Sequence, residues 1–284
     1  MVRLTVLGSG SSGNCAVVST DRTTLLIDAG LSAKQICLRM EARGYSPDQL
    51  DGILLTHEHK DHTGGLEVLS RKHSVPLFCT ALTQEAVGTS LAFRSPPKWR
   101  IMSTGDPFEF QDLRIECFPV PHDAVDPVGF IIEDDHAKLG VLSDVGYVTS
   151  LIKDRLRHSD SLFVEANYDT QMLEEDLKRP WATKQRISSR HGHLSNEQTA
   201  ELVAELAHEG LANVVLGHLS DDCNCPNRAA EHIRQALAKA GAGHTHVVCA
   251  ARKEPTATLD VAMKNRPQPQ TEMTSVPSGE LALW

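Results

Sequence analysis

Short apolar runs recur at near-regular intervals along this chain, and most of them close on a polar or turn-forming residue. Runs of this length, apolar on one or both faces and bounded by Gly, Pro, Asp or Ser, read as β-strands. They fall at Leu4–Leu7, Cys15–Ser19, Thr24–Ile27, Gly52–Thr56, Val75–Cys79, Leu113–Pro119, Val128–Glu133, Lys138–Leu142, Ser161–Val164, Asn213–Leu216 and His246–Cys249. Helices are expected at Ala33–Arg43, Gly65–His73, Val148–His158, Asn196–Glu209 and Arg228–Ala240, the last three with apolar residues at i, i+3 and i+4. Gly44, Gly210 and Gly241 stand where a left-handed residue would end a helix. Polar tips around 109–113 and 133–138 read as hairpins. The class is mixed α/β, sheets covered by helices, with no internal repeat and no break to mark a second domain. One domain is expected over 1–262, followed by a tail, 263–284, whose Pro, Gln, Ser and Thr read as disordered.

The residues that close the runs share a chemistry. Asp28 follows Thr-Leu-Leu-Ile, His57 follows Ile-Leu-Leu-Thr, and His122 follows the run from Ile115 to Pro121. Asp144 follows Leu139 to Ser143, Glu165 follows Leu-Phe-Val, and His218 follows Val-Val-Leu-Gly. In α/β folds the carboxyl ends of strands are where sites assemble. One such residue alone is better explained by a turn or a helix cap, but six in one chain point to a shared site.

With 284 residues, 40% hydrophobic and 23% charged, the chain has the balance of an ordinary globular protein able to bury a sizeable core. No apolar run nears the ~18 residues of a membrane span, and the N-terminal run is too short for a secretory leader. Seven scattered cysteines, an odd number, fit reduced thiols, so a cytoplasmic location with no membrane partner is expected. The net charge of −9 weighs against a nucleic-acid partner, because phosphates attract basic surfaces. Its distribution points the other way. Between Leu177 and Asn196 stand Lys178, Arg179, Lys184, Arg186 and Arg190, with Trp181 among them and no acid. Arg94, Lys98, Trp99 and Arg100 form a smaller acid-free stretch. These segments are either solvated loops or an aromatic-bearing strip that holds a polyanion.

The segment THEHKDHTGG, 56–65, concentrates the candidate chemistry. Imidazole nitrogen and carboxylate oxygen are good ligands for divalent ions such as Zn²⁺ and Mn²⁺. In a chain leaving a strand, i and i+2 project to one side, so His57 and His59 can share one ion. Asp61 and His62, at the start of the next helix, can reach a second. Four ligands do not close two sites, and His122, Asp144 and His218 are the candidates to complete them. Lone histidines such as His73, His136, His158 and His208 are assigned no role. Cys223 and Cys225 lack the usual two-residue ligand spacing and read as structural.

The order Asp28, HxHxDH, His122, Asp144, His218 resembles the metallo-β-lactamase superfamily, whose fold is an αββα sandwich of two mixed sheets flanked by helices. More narrowly, LGSGSSGN (7–14), DAGLS (28–32), LDGILLTHEHKDHTGGL (50–66), VPHDAVDP (120–127), SDVGYV (143–148), VEANYD (164–169), GHLSNEQTA (192–200) and GHLSDDCN (217–224) are similar to the YycJ/WalJ group of that superfamily. The likeness covers about residues 2–250. It implies one ion held by His57, His59 and His122, another by Asp61, His62 and His218, and Asp144 bridging them. It places Asp28 behind the ligands, orienting the HxHxDH loop. The ligands contain no thiolate, which leaves Zn²⁺, Mn²⁺ and Fe open.

Two neighbouring ions activate a water as hydroxide and neutralise charge on a phosphoryl or carbonyl oxygen, so hydrolysis is the expected reaction. His193 lies just before a Ser-x-x-Gln capping box at Ser195 and Gln198. In the related tRNase Z-like nucleases a histidine in a similar segment, paired with a glutamate after a strand, helps protonate the leaving oxygen, and His193 and Glu165 match by position. A histidine that merely finishes the cap is the plainer alternative. Catalytic roles are therefore expected for Asp61, Glu165 and His193, with Arg179, Lys184, Arg186 and Arg190 holding substrate. The Gly8–Gly13 loop lacks the lysine of a P-loop and reads as a tight hairpin near the metal face. The resemblance implies a DNA exonuclease working from 5′ ends and a part in DNA repair, with DNA favoured over RNA. The rivals are a hydrolase of small esters, thioesters, lactones or cyclic nucleotides, and a non-catalytic metal-binding protein of a signalling complex. Monomer and homodimer both remain open.

Overall fold

The apolar runs pair into two facing sheets, in a computed structural model that describes residues 1–263. In chain order the elements are β1 (Arg3–Gly8), β2 (Cys15–Ser19), β3 (Thr24–Ile27), α1 (Ala33–Glu41), β4 (Gly52–Leu54), α2 (Lys60–Thr63), α3 (Leu66–His73), β5 (Pro76–Cys79), α4 (Ala81–Ser90), β6 (Lys98–Ile101) and β7 (Phe108–Phe110). There follow β8 (Leu113–Pro119), β9 (Val128–Glu133), β10 (Lys138–Leu142), α5 (Ser150–Leu156), β11 (Ser161–Glu165), α6 (Thr170–Glu175), α7 (Trp181–Ile187), α8 (Asn196–Leu206), β12 (Asn213–Gly217), α9 (Pro226–Lys239), β13 (His246–Cys249) and β14 (Leu259–Asp260).

One sheet runs β14-β1-β2-β3-β4-β5-β6 and the other β13-β12-β11-β10-β9-β8-β7. Each is antiparallel in one half and parallel in the other. The parallel halves are β3 to β6 and β10 to β13. Side chains alternate across each strand. Leu25 and Ile27 of β3, Val141 of β10, Phe163 of β11 and Val215 of β12 fill the space between the sheets. The intervening residues face outward but are still covered. Leu26 meets Ile36 and Met40 of α1 and Leu66 of α3, while Leu142, Leu162 and Leu216 meet Ile152, Val203 and Ile233 of α5, α8 and α9. Strands buried on both faces explain why these runs are continuously apolar. Each such Leu or Ile contributes about 1.5–3 kcal/mol by leaving water. The result is the expected αββα layering.

The parallel strands β3, β4, β10, β11 and β12 all end at one rim, and β8, parallel in direction to β10, ends there too. Three of the expected site residues leave their strands with a left-handed backbone: Asp28 (φ 58°), Asp144 (φ 53°) and His218 (φ 53°). That conformation is uncommon outside glycine, although Asp and His enter it more readily than most side chains, so the surrounding packing must hold it.

Several expectations need correction. Gly44 and Gly241 adopt φ of 80°, but Gly210 is not among the left-handed residues, because α8 stops at Leu206 on an extended Ala207. The basic strip is no bare loop. Its centre is α7, whose residues are all at least partly exposed. Lys98, Trp99 and Arg100 of the smaller basic stretch lie in β6, an edge strand, and Arg94 in the loop before it. The proposed tail lies outside the described residues from 264 onward. No helix among the described residues is long and apolar enough to cross a membrane.

Candidate metal centre

Two loops of the first sheet build one side of the site, and Asp28 ties them together. Its Oδ1 accepts the Thr56 N–H at 2.8 Å, and its Oδ2 accepts the Thr56 hydroxyl at 2.8 Å. Having donated to Asp28, the Thr56 hydroxyl accepts from Nδ1 of His57 at 3.0 Å. Asp28 Oδ2 also lies 2.7 Å from Nδ1 of His62. One buried carboxylate thus fixes the ring orientation of two histidines and turns both Nε2 atoms toward Asp144, that of His62 also lying 3.1 Å from Asn14 Nδ2. The loops touch closely: the Asp61 carbonyl accepts from Asn14 N, and the His62 carbonyl from Ala29 N. A Cβ on Gly30 would overlap the Asp61 carbonyl, which is why glycine stands there.

The second sheet supplies the other side. His122 donates from Nδ1 to the Gly192 carbonyl at 3.0 Å, which turns its Nε2 toward Asp144 and leaves it 3.1 Å from Asp123 Oδ1. His218 is positioned by its neighbours, its N–H donating to Ser9 Oγ at 2.7 Å and its carbonyl accepting from Asn167 at 2.8 Å. Ser9 of the Gly/Ser hairpin therefore braces His218.

These side chains converge on Asp144. Its Oδ2 lies 3.7 Å from Nε2 of His57, 3.2 Å from Nε2 of His62 and 3.8 Å from Nε2 of His122, while its Oδ1 lies 3.3 Å from Nδ1 of His218. Ligand atoms of His57, His59, His122 and Asp144 lie within 4.8 Å of one another, and so do those of Asp61, His62, Asp144 and His218. Asp144 belongs to both groups. Nε2 of His57 is buried with no hydrogen-bond partner, a costly condition that a cation would relieve. Imidazoles, carboxylates and an orphaned ring nitrogen fit divalent ions.

The electrostatics agree. Burial opposes charge on Asp144, yet His218, His62 and His57 hold its carboxyl well below the usual carboxylate range. Burial likewise works against a proton on His62, but the Asp144 and Asp28 carboxylates outweigh it and raise its pKa well above the ordinary value. His218 is pushed up to about 10 against the same burial, by Asp144, Asp61 and Glu165. Burial, with the His62 charge, keeps His57 well below its ordinary value, and burial lowers His122. The contact of His57 with Asp144 is accordingly one of a neutral ring, not a salt bridge. Protonated His62 and His218 balance the carboxylates in the metal-free chain.

Next to this centre, Glu165 is buried at the end of β11. Its Oε1 accepts from Val145 N at 2.8 Å and Leu194 N at 3.0 Å, and its Oε2 lies 3.0 Å from Nδ1 of His193. Burial would raise the Glu165 carboxyl, but His193 and His218 hold it below its ordinary range. The His193 ring lies 5.2 Å from that of His122 and 5.0 Å from that of His218, centroid to centroid. Glu165 thus engages Nδ1 of His193 and leaves Nε2 as its other ring nitrogen.

The four expected substrate cations fare unevenly. Arg179 pairs with Asp176 at 3.0 Å and Asp222 at 3.1 Å, and Lys184 donates to the Glu174 carbonyl at 2.8 Å. Arg190 lies over the Tyr147 ring at 4.2 Å from its centroid. Arg186 alone reaches the metal loops, donating from Nε to Asp123 at 2.6 Å. Asn14, Thr56, Asp123 and Asn167 were not singled out from sequence. Thr56 and Asp123 each adjoin a ligand histidine, and Asn14 closes the Gly/Ser loop, but nothing local shows which way such side chains turn. Cys223 packs with Tyr168 and Leu173, away from any ligand role.

A profile of the beta-lactamase superfamily domain matches residues 23–219. The chain is 35% identical over 242 residues to exodeoxyribonuclease YycJ of Bacillus anthracis, across 85% of this chain and 91% of the relative. It is 36% identical over 243 residues to exodeoxyribonuclease WalJ of Streptococcus pneumoniae, across 85% of this chain and 90% of the relative. Among solved structures, the metallo-beta-lactamase fold protein YhfI from Bacillus subtilis superposes with a TM-score of 0.67 at 17% identity, over 90% of this chain and 98% of that one.

Proposed function

We propose, from the premise that this chain belongs to the beta-lactamase superfamily of metal-dependent hydrolases, that it is a two-metal phosphodiesterase cutting DNA from its ends. The observation that carries the proposal is the position of Asp144, whose carboxylate joins the group of His57, His59 and His122 to that of Asp61, His62 and His218 and also adjoins Glu165 and His193. In this reading His57, His59 and His122 would hold one ion, Asp61, His62 and His218 would hold the other, and Asp144 would serve both. Bound there, divalent ions supply Lewis acidity and an activated water. The protein's own residues do the rest. Asp28 fixes the ring orientations, Asp61 keeps a carboxylate oxygen at the centre, and Glu165 orients His193 so that Nε2 can give a proton to the departing oxygen.

DNA as substrate is supported by the names of the two exodeoxyribonuclease relatives. Attack from 5′ ends and a preference over RNA are the finer parts of the proposal. A second reading, hydrolysis of a small ester, thioester, lactone or cyclic nucleotide, draws on one observation: Arg179 and Lys184 are already occupied by Asp176, Asp222 and Glu174.

The test incubates EDTA-treated protein, with Mn²⁺ or Zn²⁺ restored, with end-labelled single- and double-stranded DNA and RNA, beside thioester, lactone and cyclic-nucleotide substrates. Metal-dependent shortening of DNA from one labelled end is expected. Turnover of a small ester without any DNA cleavage would favour the second reading.

A further inference from the structure

We infer that Asp123 is a positioning residue that aims Arg186 at a phosphate flanking the one being cut, so that the site is shaped for a chain of phosphodiesters. The inference rests on the phosphodiesterase reading above. Asp123 directly follows His122, and its N–H donates to the His191 carbonyl at 2.9 Å, which ties the His122 loop to the segment leading into His193. Its carboxylate spans two worlds. Oδ1 lies 3.1 Å from Nε2 of His122, the nitrogen that faces Asp144, and Oδ2 accepts from Nε of Arg186.

How Arg186 is held matters more than that it is held. Asp123 engages Nε alone, and neither terminal amino group has a bond among the described residues. A guanidinium gripped at Nε still presents its outer fork, the geometry that binds a phosphate bidentately. Arg179 is the contrast: one terminal nitrogen donates to Asp176 and Cys223 and the other to Asp222, so its fork is spent within the protein. Arg186 is also 60% exposed in its side chain, open to a ligand beside the buried centre. A single carboxylate thus separates a free phosphate fork from a ligand nitrogen. A phosphoryl group bound among His57, His59 and His122 would leave its neighbour along the chain within reach of Arg186. A lone diester has no such neighbour.

The experiment compares wild type, Asp123→Ala, Asp123→Asn, Arg186→Ala, Arg186→Lys and Asp123→Ala/Arg186→Ala. Metal content and thermal unfolding are measured for each. An oligothymidylate and bis(p-nitrophenyl) phosphate are used as substrates, and anisotropy of a labelled oligothymidylate reports binding to EDTA-treated protein. Asp123→Ala is expected to lower kcat/KM for the oligonucleotide, relative to the aryl diester, by about tenfold, mostly through KM. Arg186→Ala should match it, and the double variant should be no worse than either single one, because one residue acts through the other. Arg186→Lys should resemble Arg186→Ala, whereas Asp123→Asn, which keeps an acceptor oxygen, should recover part of the loss. Additive effects, or equal losses on both substrates, overturn the inference, and so does reduced metal content in Asp123→Ala. If wild type cleaves neither substrate, the phosphodiesterase reading has failed. The anisotropy arm then still decides, since equal affinities of wild type and Asp123→Ala would overturn the role of Asp123 by itself.

Discussion

Asp28 and His62 stand 34 positions apart, and their Oδ2 and Nδ1 atoms are 2.7 Å from each other in a fully buried contact. A carboxylate behind a ligating imidazole fixes its tautomer and strengthens it as a donor. Asp28→Asn keeps the shape and tolerates the left-handed backbone at φ 58°. It is expected to weaken metal affinity by about 10- to 100-fold. Competition against a fluorescent chelator measures this, and affinity unchanged from wild type would remove Asp28 from the site.

Asp144 is the carboxylate common to both ligand groups. Asp144→Ala should lower bound metal from about two equivalents to one or fewer, and turnover by about three orders of magnitude, since several kcal/mol of charge stabilisation depend on the ions. Elemental analysis with a nuclease assay reads both. Two retained equivalents would place the bridge elsewhere.

Metal and protons compete for the same nitrogens. His62 and His218 carry raised pKa values in the metal-free chain, that of His218 about 10. A ligand must shed its proton, so affinity should rise with pH from the ordinary histidine range near 6.5 up towards 10. Calorimetry in buffers of different ionisation enthalpy should show about two protons released per filled centre at neutral pH. The sign for folding is the reverse. Groups whose folded pKa is raised stabilise the metal-free protein fully below 6.5 and stop doing so as pH climbs through about 10. Denaturant midpoints of stripped protein should therefore fall over that window.

Glu165→Gln keeps an oxygen for the N–H groups of Val145 and Leu194 but no longer offers a carboxylate to Nδ1 of His193. Cleavage of DNA, whose leaving group is an alkoxide, is expected to fall about 100-fold. Bis(p-nitrophenyl) phosphate, whose leaving group needs no proton, should be much less affected. His193→Ala should show the same contrast. Equal losses on both substrates would deny His193 the acid role.

Much of the fold was legible because its strands are covered on both faces. Leu25-Leu26-Ile27 and Leu162-Phe163-Val164 are apolar without interruption, and no helix pattern competes for them. Among the candidate ligands, His57, His122, Asp144 and His218 were legible because each closes such a run, and His59, Asp61 and His62 because they crowd into the same short segment as His57. The misses have equally physical causes. The helix α7 buries no residue, so it carries no periodic stripe. The strand β6 lies at a sheet edge with Lys98, Arg100 and Ile101 exposed, and so reads as a polar connection. The pairing of Asp123 with Arg186 spans 63 positions, and charge composition alone cannot show which cations already have partners.

The sandwich has a seam, and the candidate ligands sit astride it. His57, His59, Asp61 and His62 hang from the first sheet, whereas His122, Asp144 and His218 hang from the second. Cations lodged between them would rivet the two layers together much as a disulfide closes a loop. Chelation should then act on this protein as a mild denaturant, lowering its melting temperature even where no substrate is in sight.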